Sequence, residues 1–110
     1  MRRQIVAGNW KMNGSKELVQ QIIGQVCSQL ADIEPEVVVV PPAPYISGVV
    51  SLAAGGLSVG AQNVSQWRAG AYTGEVSAEM AADLGCEFVL AGHSERRQLF
   101  GETDDVVAAK

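Results

Sequence analysis

The chain has a single histidine, His93, and only two cysteines, Cys27 and Cys86, which lie far apart. No zinc or redox spacing is present, so no metal site is expected and both thiols are expected to be buried side chains. Basic residues are scarce: eight Lys and Arg face twelve Asp and Glu, giving a net charge of −4. Because those few are scattered, the coherent positive face that nucleic-acid binding needs is not expected. Long apolar runs are lacking too. After Met1-Arg2-Arg3 the apolar stretch reaches only Gly8 before Asn9 and Lys11 intervene, which is too short for a signal-peptide core. No segment approaches the roughly 20 apolar residues of a membrane helix. The reading is a cytoplasmic, reducing compartment without membrane association. An organic cofactor is not implied either, since neither Gly55-Gly56 nor the glycines from Gly70 to Gly74 form a dinucleotide fingerprint after a strand.

What is present is material for a core. Hydrophobic residues make up 47% of the 110 positions, as in a packed domain and unlike a disordered segment. The aliphatic runs Gln4 to Gly8, Val37 to Val40, Leu57 to Ala61 and Phe88 to Ala91 lack clean polar alternation, so they predict short strands buried on both faces. Between the first two, Leu18, Val19, Ile22, Ile23, Val26, Cys27 and Leu30 recur at helical spacing, predicting a helix over 16–30 capped by Ser15. Pro44 suits the first turn of a second helix, Tyr45 to Ala54, ended by Gly55-Gly56. A third, short helix follows Ser77. The last pattern, from Thr103 to Lys110, has a capping threonine and two carboxylates at the favourable helix end. Strand followed by helix, repeated, implies an α/β fold with a parallel sheet and right-handed crossovers. The alternation alone leaves open whether that sheet closes into a barrel.

Two strand ends carry the polar residues of interest. In Ala91-Gly92-His93-Ser94-Glu95-Arg96-Arg97 the histidine leaves the Phe88-Val89-Leu90 run without a spacer. Ser94 and Glu95 can then start a short helix, whose N-terminal N–H groups disfavour imidazole protonation. A neutral imidazole there can donate a proton; a solvated or locally hydrogen-bonded histidine is the plainer reading of the heptapeptide taken alone. In Ala7-Gly8-Asn9-Trp10-Lys11-Met12-Asn13-Gly14, Lys11 stands just past another strand end, where it can reach over the rim of a parallel sheet towards an anionic ligand. A solvated surface lysine is the plainer alternative. The connection Gln62 to Val76, with Trp67, Tyr72, Gly70 and Gly74, is long for a loop. Its aromatics suit either a protein interface or packing onto the chain's own helices.

These two segments, together with Pro41-Pro42-Ala43-Pro44-Tyr45, Gly60-Ala61-Gln62-Asn63-Val64 and Gly70-Ala71-Tyr72-Thr73-Gly74-Glu75-Val76-Ser77, resemble the triosephosphate isomerase family. The resemblance runs from Ile5 to the last residue and implies a TIM (β/α)8 barrel of which this chain supplies roughly the first half. A complete barrel needs about 250 residues. The expectation is one N-terminal part of a single domain, 1–110, cut within the fourth helix. The implied activity interconverts dihydroxyacetone phosphate and glyceraldehyde 3-phosphate through an enediolate, in glycolysis and gluconeogenesis. The resemblance makes His93 and Lys11 catalytic, Asn9 and Lys11 substrate-binding, and Glu95 the carboxylate holding Lys11. Ser94 matches a residue contacting the catalytic glutamate. It also implies a homodimer in the full-length enzyme, with Tyr72, Thr73 and Glu75 at the interface and Thr73 near the partner's Asn9 and Lys11.

The family's catalytic glutamate follows its sixth strand, and no segment here matches it. The phosphate site of such barrels comes largely from loops after the seventh and eighth strands. The 110-residue chain alone is therefore expected to be inactive. Two alternatives are a non-catalytic half-barrel binding a phosphorylated ligand, and an interaction module offering the Gln62 to Val76 loop and open sheet edges.

Overall fold

The computed structural model describes residues 2–110. Four parallel strands, β1 (Ile5–Asn9), β2 (Glu36–Val40), β3 (Ser58–Ala61) and β4 (Phe88–Val89), lie side by side in chain order. Helix α1 (Lys16–Cys27) joins the first pair, α2 (Ile46–Ala53) the second and α3 (Ala78–Asp83) the third. Two short helices, α4 (Ser94–Phe100) and α5 (Asp104–Ala109), follow β4. This is the strand–helix order of part of an α/β barrel.

The helix starts obey local chemistry. Ser15 Oγ accepts from the Leu18 N–H at 3.0 Å, Ser77 Oγ from Met80 at 3.1 Å and Thr103 Oγ1 from Val106 at 3.3 Å, each satisfying a first-turn donor that has no partner inside its helix. Helix α1 stops at Cys27, short of the expected Leu30, and the chain continues into a 3₁₀ turn, Leu30–Asp32. Pro44 lies in another 3₁₀ turn, Ala43–Tyr45, ahead of α2, whose end is set by Ala54 in the left-handed conformation.

Register brings the strand ends to one rim. Ile5 pairs with Glu36 and Asn9 with Val40 at opposite ends of one ladder, while Gly60 and Ala61 pair with Phe88 and Val89. The Trp10 N–H donates to Val40 O at 3.0 Å and the Leu90 N–H to Ala61 O at 2.9 Å, so pairing persists to the C-terminal ends. Residues just past those ends, Lys11, Gln62 and His93, consequently share one side of the sheet.

Ile23, Ile46 and Val49 form the fully buried centre, packed with Val19, Val39, Val59, Ala61 and Val64 where helices meet sheet. The expectation of four strands buried on both faces holds only for the middle of the sheet. Strand β3 is buried throughout and β2 for its last three residues, whereas Ile5 is 47% and Val6 58% exposed on β1. The reason is position: β1 and β4 are the outer strands, each with one paired neighbour. Strand β4 is also shorter than expected, because Gly92, at φ 70°, turns the chain away after Leu90. Both cysteines are free and half-buried rather than fully buried, and burial pushes the Cys86 thiol up from its ordinary range. No helix among the described residues is long and apolar enough to cross a membrane.

Candidate active site

A cavity of about 410 Å³ opens at the C-terminal rim, lined by Asn9, Lys11, Gln62, His93, Glu95 and Arg96 among others. Four of the residues expected to carry function, Asn9, Lys11, His93 and Glu95, thus come together from the two ends of the chain. Ser94 is the first residue of α4 and is exposed, outside the lining.

Lys11 is held at both ends. Its N–H donates to Asn9 Oδ1 at 2.9 Å, and its backbone takes φ 56°, a left-handed conformation costly to a residue with a Cβ. Its ammonium lies 2.6 Å from Glu95 Oε1, and that hydrogen bond, reinforced by the ammonium's charge, holds the Glu95 carboxyl below the usual carboxylate range. Gln62, which immediately follows β3, donates through Nε2 to Lys11 O at 2.6 Å and to Val40 O at 3.1 Å. Sequence reasoning gave Gln62 no role. The available signal was its place just past a strand end, the same place that drew attention to Lys11 and His93.

His93 caps α4. Its Nδ1 accepts from the Glu95 N–H at 3.1 Å, which leaves the ring hydrogen on Nε2 and turns that atom into the available donor. The Glu95 carboxylate is 3.9 Å from Nδ1, beyond hydrogen-bond range, and the amide already occupies that lone pair. The backbone hydrogen bond therefore defines the ring's role better than the carboxylate does. Behind the cavity, Glu102 Oε2 accepts from Arg96 Nε at 2.7 Å and from Lys110 Nζ at 2.6 Å, while Lys110 also reaches Asn63 Oδ1 at 2.5 Å. Burial pushes the Glu102 carboxyl up, but hydrogen bonds from Lys110 and Arg96 outweigh it and the net shift is downward. This group, too, went unread in the sequence.

The residues expected at a subunit interface lie elsewhere. Trp67 and Tyr72 stack face to face, with ring centroids 4.1 Å apart and planes 1° from parallel, on a loop closed at its base by Ser65 N–H to Val76 O at 2.8 Å. They pack on each other and remain partly exposed, while Thr73 and Glu75 beside them are exposed. Among the described residues no three His, Cys, Asp or Glu side chains converge as a metal-ligand group would require.

Residues 4–110 match the family model described as triosephosphate isomerase. The chain belongs to the triosephosphate isomerase family. Its sequence is 63% identical to the triosephosphate isomerase of Marinobacter nauticus over 112 aligned residues, covering 100% of this chain and 44% of that relative. It is 49% identical to that of Dechloromonas aromatica and 48% identical to that of Shewanella piezotolerans, covering the whole chain and 45% of each. The chain thus spans less than half the length of these triosephosphate isomerases. Membership identifies the four-strand sheet as part of a TIM barrel, and in such barrels the rim carrying Lys11 and His93 is the face where active sites are built.

Proposed function

We propose that residues 1–110 supply the first half of a triosephosphate isomerase active site, interconverting dihydroxyacetone phosphate and D-glyceraldehyde 3-phosphate by proton transfer through an enediolate. The observation that carries this reading is the convergence of Asn9, Lys11, His93 and Glu95 on one cavity at the C-terminal rim. Removing a proton beside a carbonyl places negative charge on oxygen, and preorganised donors at that oxygen lower the barrier. His93 is suited to this through Nε2–H, since Nδ1 is engaged by the Glu95 amide. The Lys11 ammonium adds positive charge beside the substrate's oxygens and phosphate, and Asn9 fixes the peptide that bears it. Glu95 is a poor base because its carboxylate is paired with Lys11. The proton-abstracting carboxylate and most of the phosphate site would come from elsewhere in a complete barrel, with Ser94 contacting that carboxylate. No cofactor takes part in this scheme.

The same reading makes the full-length enzyme a homodimer in the cytoplasm, serving glycolysis and gluconeogenesis. Tyr72, Thr73 and Glu75 would present the preformed loop to the partner, with Thr73 approaching the partner's Asn9 and Lys11. The test is a triose phosphate interconversion assay on a full-length isomerase whose first 110 residues are this sequence. Turnover is expected; binding of triose phosphate without interconversion would instead favour a non-catalytic half-barrel.

A further inference from the structure

We propose that Gln62 is a positioning residue for the isomerisation, clamping the Lys11 peptide in its left-handed conformation and so setting where the Lys11 ammonium stands. The inference rests on the function proposed above and adds a residue to it. A lysine side chain has four rotatable carbons between backbone and charge, so a change in φ at Lys11 redirects Cα–Cβ and swings the ammonium across the cavity. Something must hold a residue with a Cβ at φ 56°. Two hydrogen bonds do so: Asn9 Oδ1 takes the Lys11 N–H at 2.9 Å, and Gln62 Nε2 gives a hydrogen to Lys11 O at 2.6 Å.

The Gln62 bond is the one that reaches outside the segment. Its amide also donates to Val40 O at 3.1 Å, the same carbonyl that takes the Trp10 N–H at 3.0 Å. One side chain at the end of β3 therefore ties the residue after β1 to the end of β2. Both partners are carbonyl oxygens, which fixes the amide with its nitrogen facing them and uses both of its hydrogens. Glu95 then holds the far end of the same lysine. Backbone and ammonium are restrained independently, as a charge that must meet a transition state within a fraction of an ångström requires.

Two variants of the full-length isomerase test the clamp: Gln62→Met, which keeps the length and removes both donors, and Gln62→Glu, which keeps the shape and offers only acceptors. Both are expected to lower kcat by about 10- to 100-fold, the scale of a 1 Å misplacement. Both should also move the Glu95 carboxyl titration, followed by carbon NMR, up towards the ordinary carboxylate range as Lys11 leaves it. A purely structural role for Gln62 would lower thermal stability and leave that titration in place. Unchanged kcat and unchanged Glu95 titration in a folded Gln62→Met protein would overturn the proposal. Should neither variant fold, the unsubstituted protein decides: Gln62 side-chain amide protons that exchange slowly with water support the clamp, and rapid exchange overturns it. Lys11→Met separates the two levels of inference. Full turnover in Lys11→Met would sink the functional reading, whereas lost turnover there beside normal turnover and an unmoved Glu95 titration in Gln62→Met would sink the clamp alone.

Discussion

Lys110 and Glu102 form a buried ion pair behind the candidate site, Nζ to Oε2 at 2.6 Å, with side chains only 4% and 7% exposed. The same ammonium reaches Asn63 and the same carboxylate takes Arg96, so α5, α4 and the segment after β3 meet at one charge. Removing Lys110 takes one of two cations from a buried carboxylate and leaves Arg96 as its remaining partner. Lys110→Met in a full-length isomerase is expected to cost about 1.5 to 3 kcal/mol, the scale of one hydrogen bond to a buried charged group, readable as a shift in denaturant midpoint. A loss below about 1 kcal/mol would place the pair in the class of solvated ion pairs.

That network also sets a pH dependence. The Glu102 carboxyl lies below its ordinary value in the folded chain because the hydrogen bonds from Lys110 and Arg96 outweigh its burial. Its contribution to stability is present above the unfolded carboxylate pKa and is lost as pH falls through the depressed folded value. Urea titrations on the unsubstituted protein and Glu102→Gln should therefore differ most near neutrality and converge in acid. A gap that widened on acidification would contradict the sign.

His93→Gln in the full-length isomerase should lower turnover by about 10² to 10⁴, the usual contribution of a positioned proton donor. Glutamine retains a donor but not the imidazole whose Nδ1 is fixed by the Glu95 amide. Near-normal turnover would remove His93 from the chemistry. Nitrogen NMR offers a separate check, since the hydrogen is expected on Nε2.

The sequence was most legible where a residue's partner is near in the chain or where its environment is a simple pattern. Ser15, Ser77 and Thr103 precede helices and cap them three residues on. The Ile5-Val6-Ala7 and Phe88-Val89-Leu90 runs read as strands, and residues beyond them were correctly suspected at a rim. Burial of β1 was misjudged because an aliphatic run does not disclose whether its strand has a neighbour on each side. Gln62 and Glu102 were missed for a related reason. The first bonds backbone carbonyls of Lys11 and Val40, which only the assembled sheet brings to it; the second bonds Arg96 and Lys110, six and eight residues away, a spacing that no helix or strand period marks.

Lys11→Met keeps most of the apolar stem and deletes the charge, so affinity for a phosphate-bearing inhibitor and turnover should both fall sharply. The variant also releases Glu95, whose low titration depends first on the hydrogen bond from Lys11. Calorimetry with the inhibitor and an NMR titration of Glu95 measure the two effects separately. An unchanged inhibitor affinity would put Lys11 outside the site.

The loop from Gln62 to Val76 is ordered by its own contacts, which suits a surface offered to a partner without refolding. Trp67 and Tyr72 stack at 4.1 Å and stay partly exposed. In the proposed dimer, Trp67→Ala or Tyr72→Ala should loosen the loop and raise the monomer fraction, with activity falling on dilution. Light scattering that reported an equally tight dimer for both would argue that the stack serves only its own subunit.

The last expectation concerns residues 1–110 expressed by themselves. Strands β1 and β4 each offer an unpaired edge to solvent, and Leu99 and Phe100 on α4 are 74% and 67% exposed. Unpaired edges of a parallel sheet carry free backbone donors and acceptors, and apolar side chains beside them favour association. Asn9, Lys11, His93 and Glu95 can still assemble, because their hydrogen bonds lie within the segment. In the proposed mechanism these groups bind substrate and stabilise charge, and without a proton-abstracting carboxylate they have no efficient route to the enediolate. Size-exclusion chromatography with amide exchange should show a self-associating chain, protected chiefly along β2 and β3, and a coupled assay should show no triose phosphate interconversion. A monomer with uniform protection that isomerises triose phosphate would mean that the base lies within these residues after all.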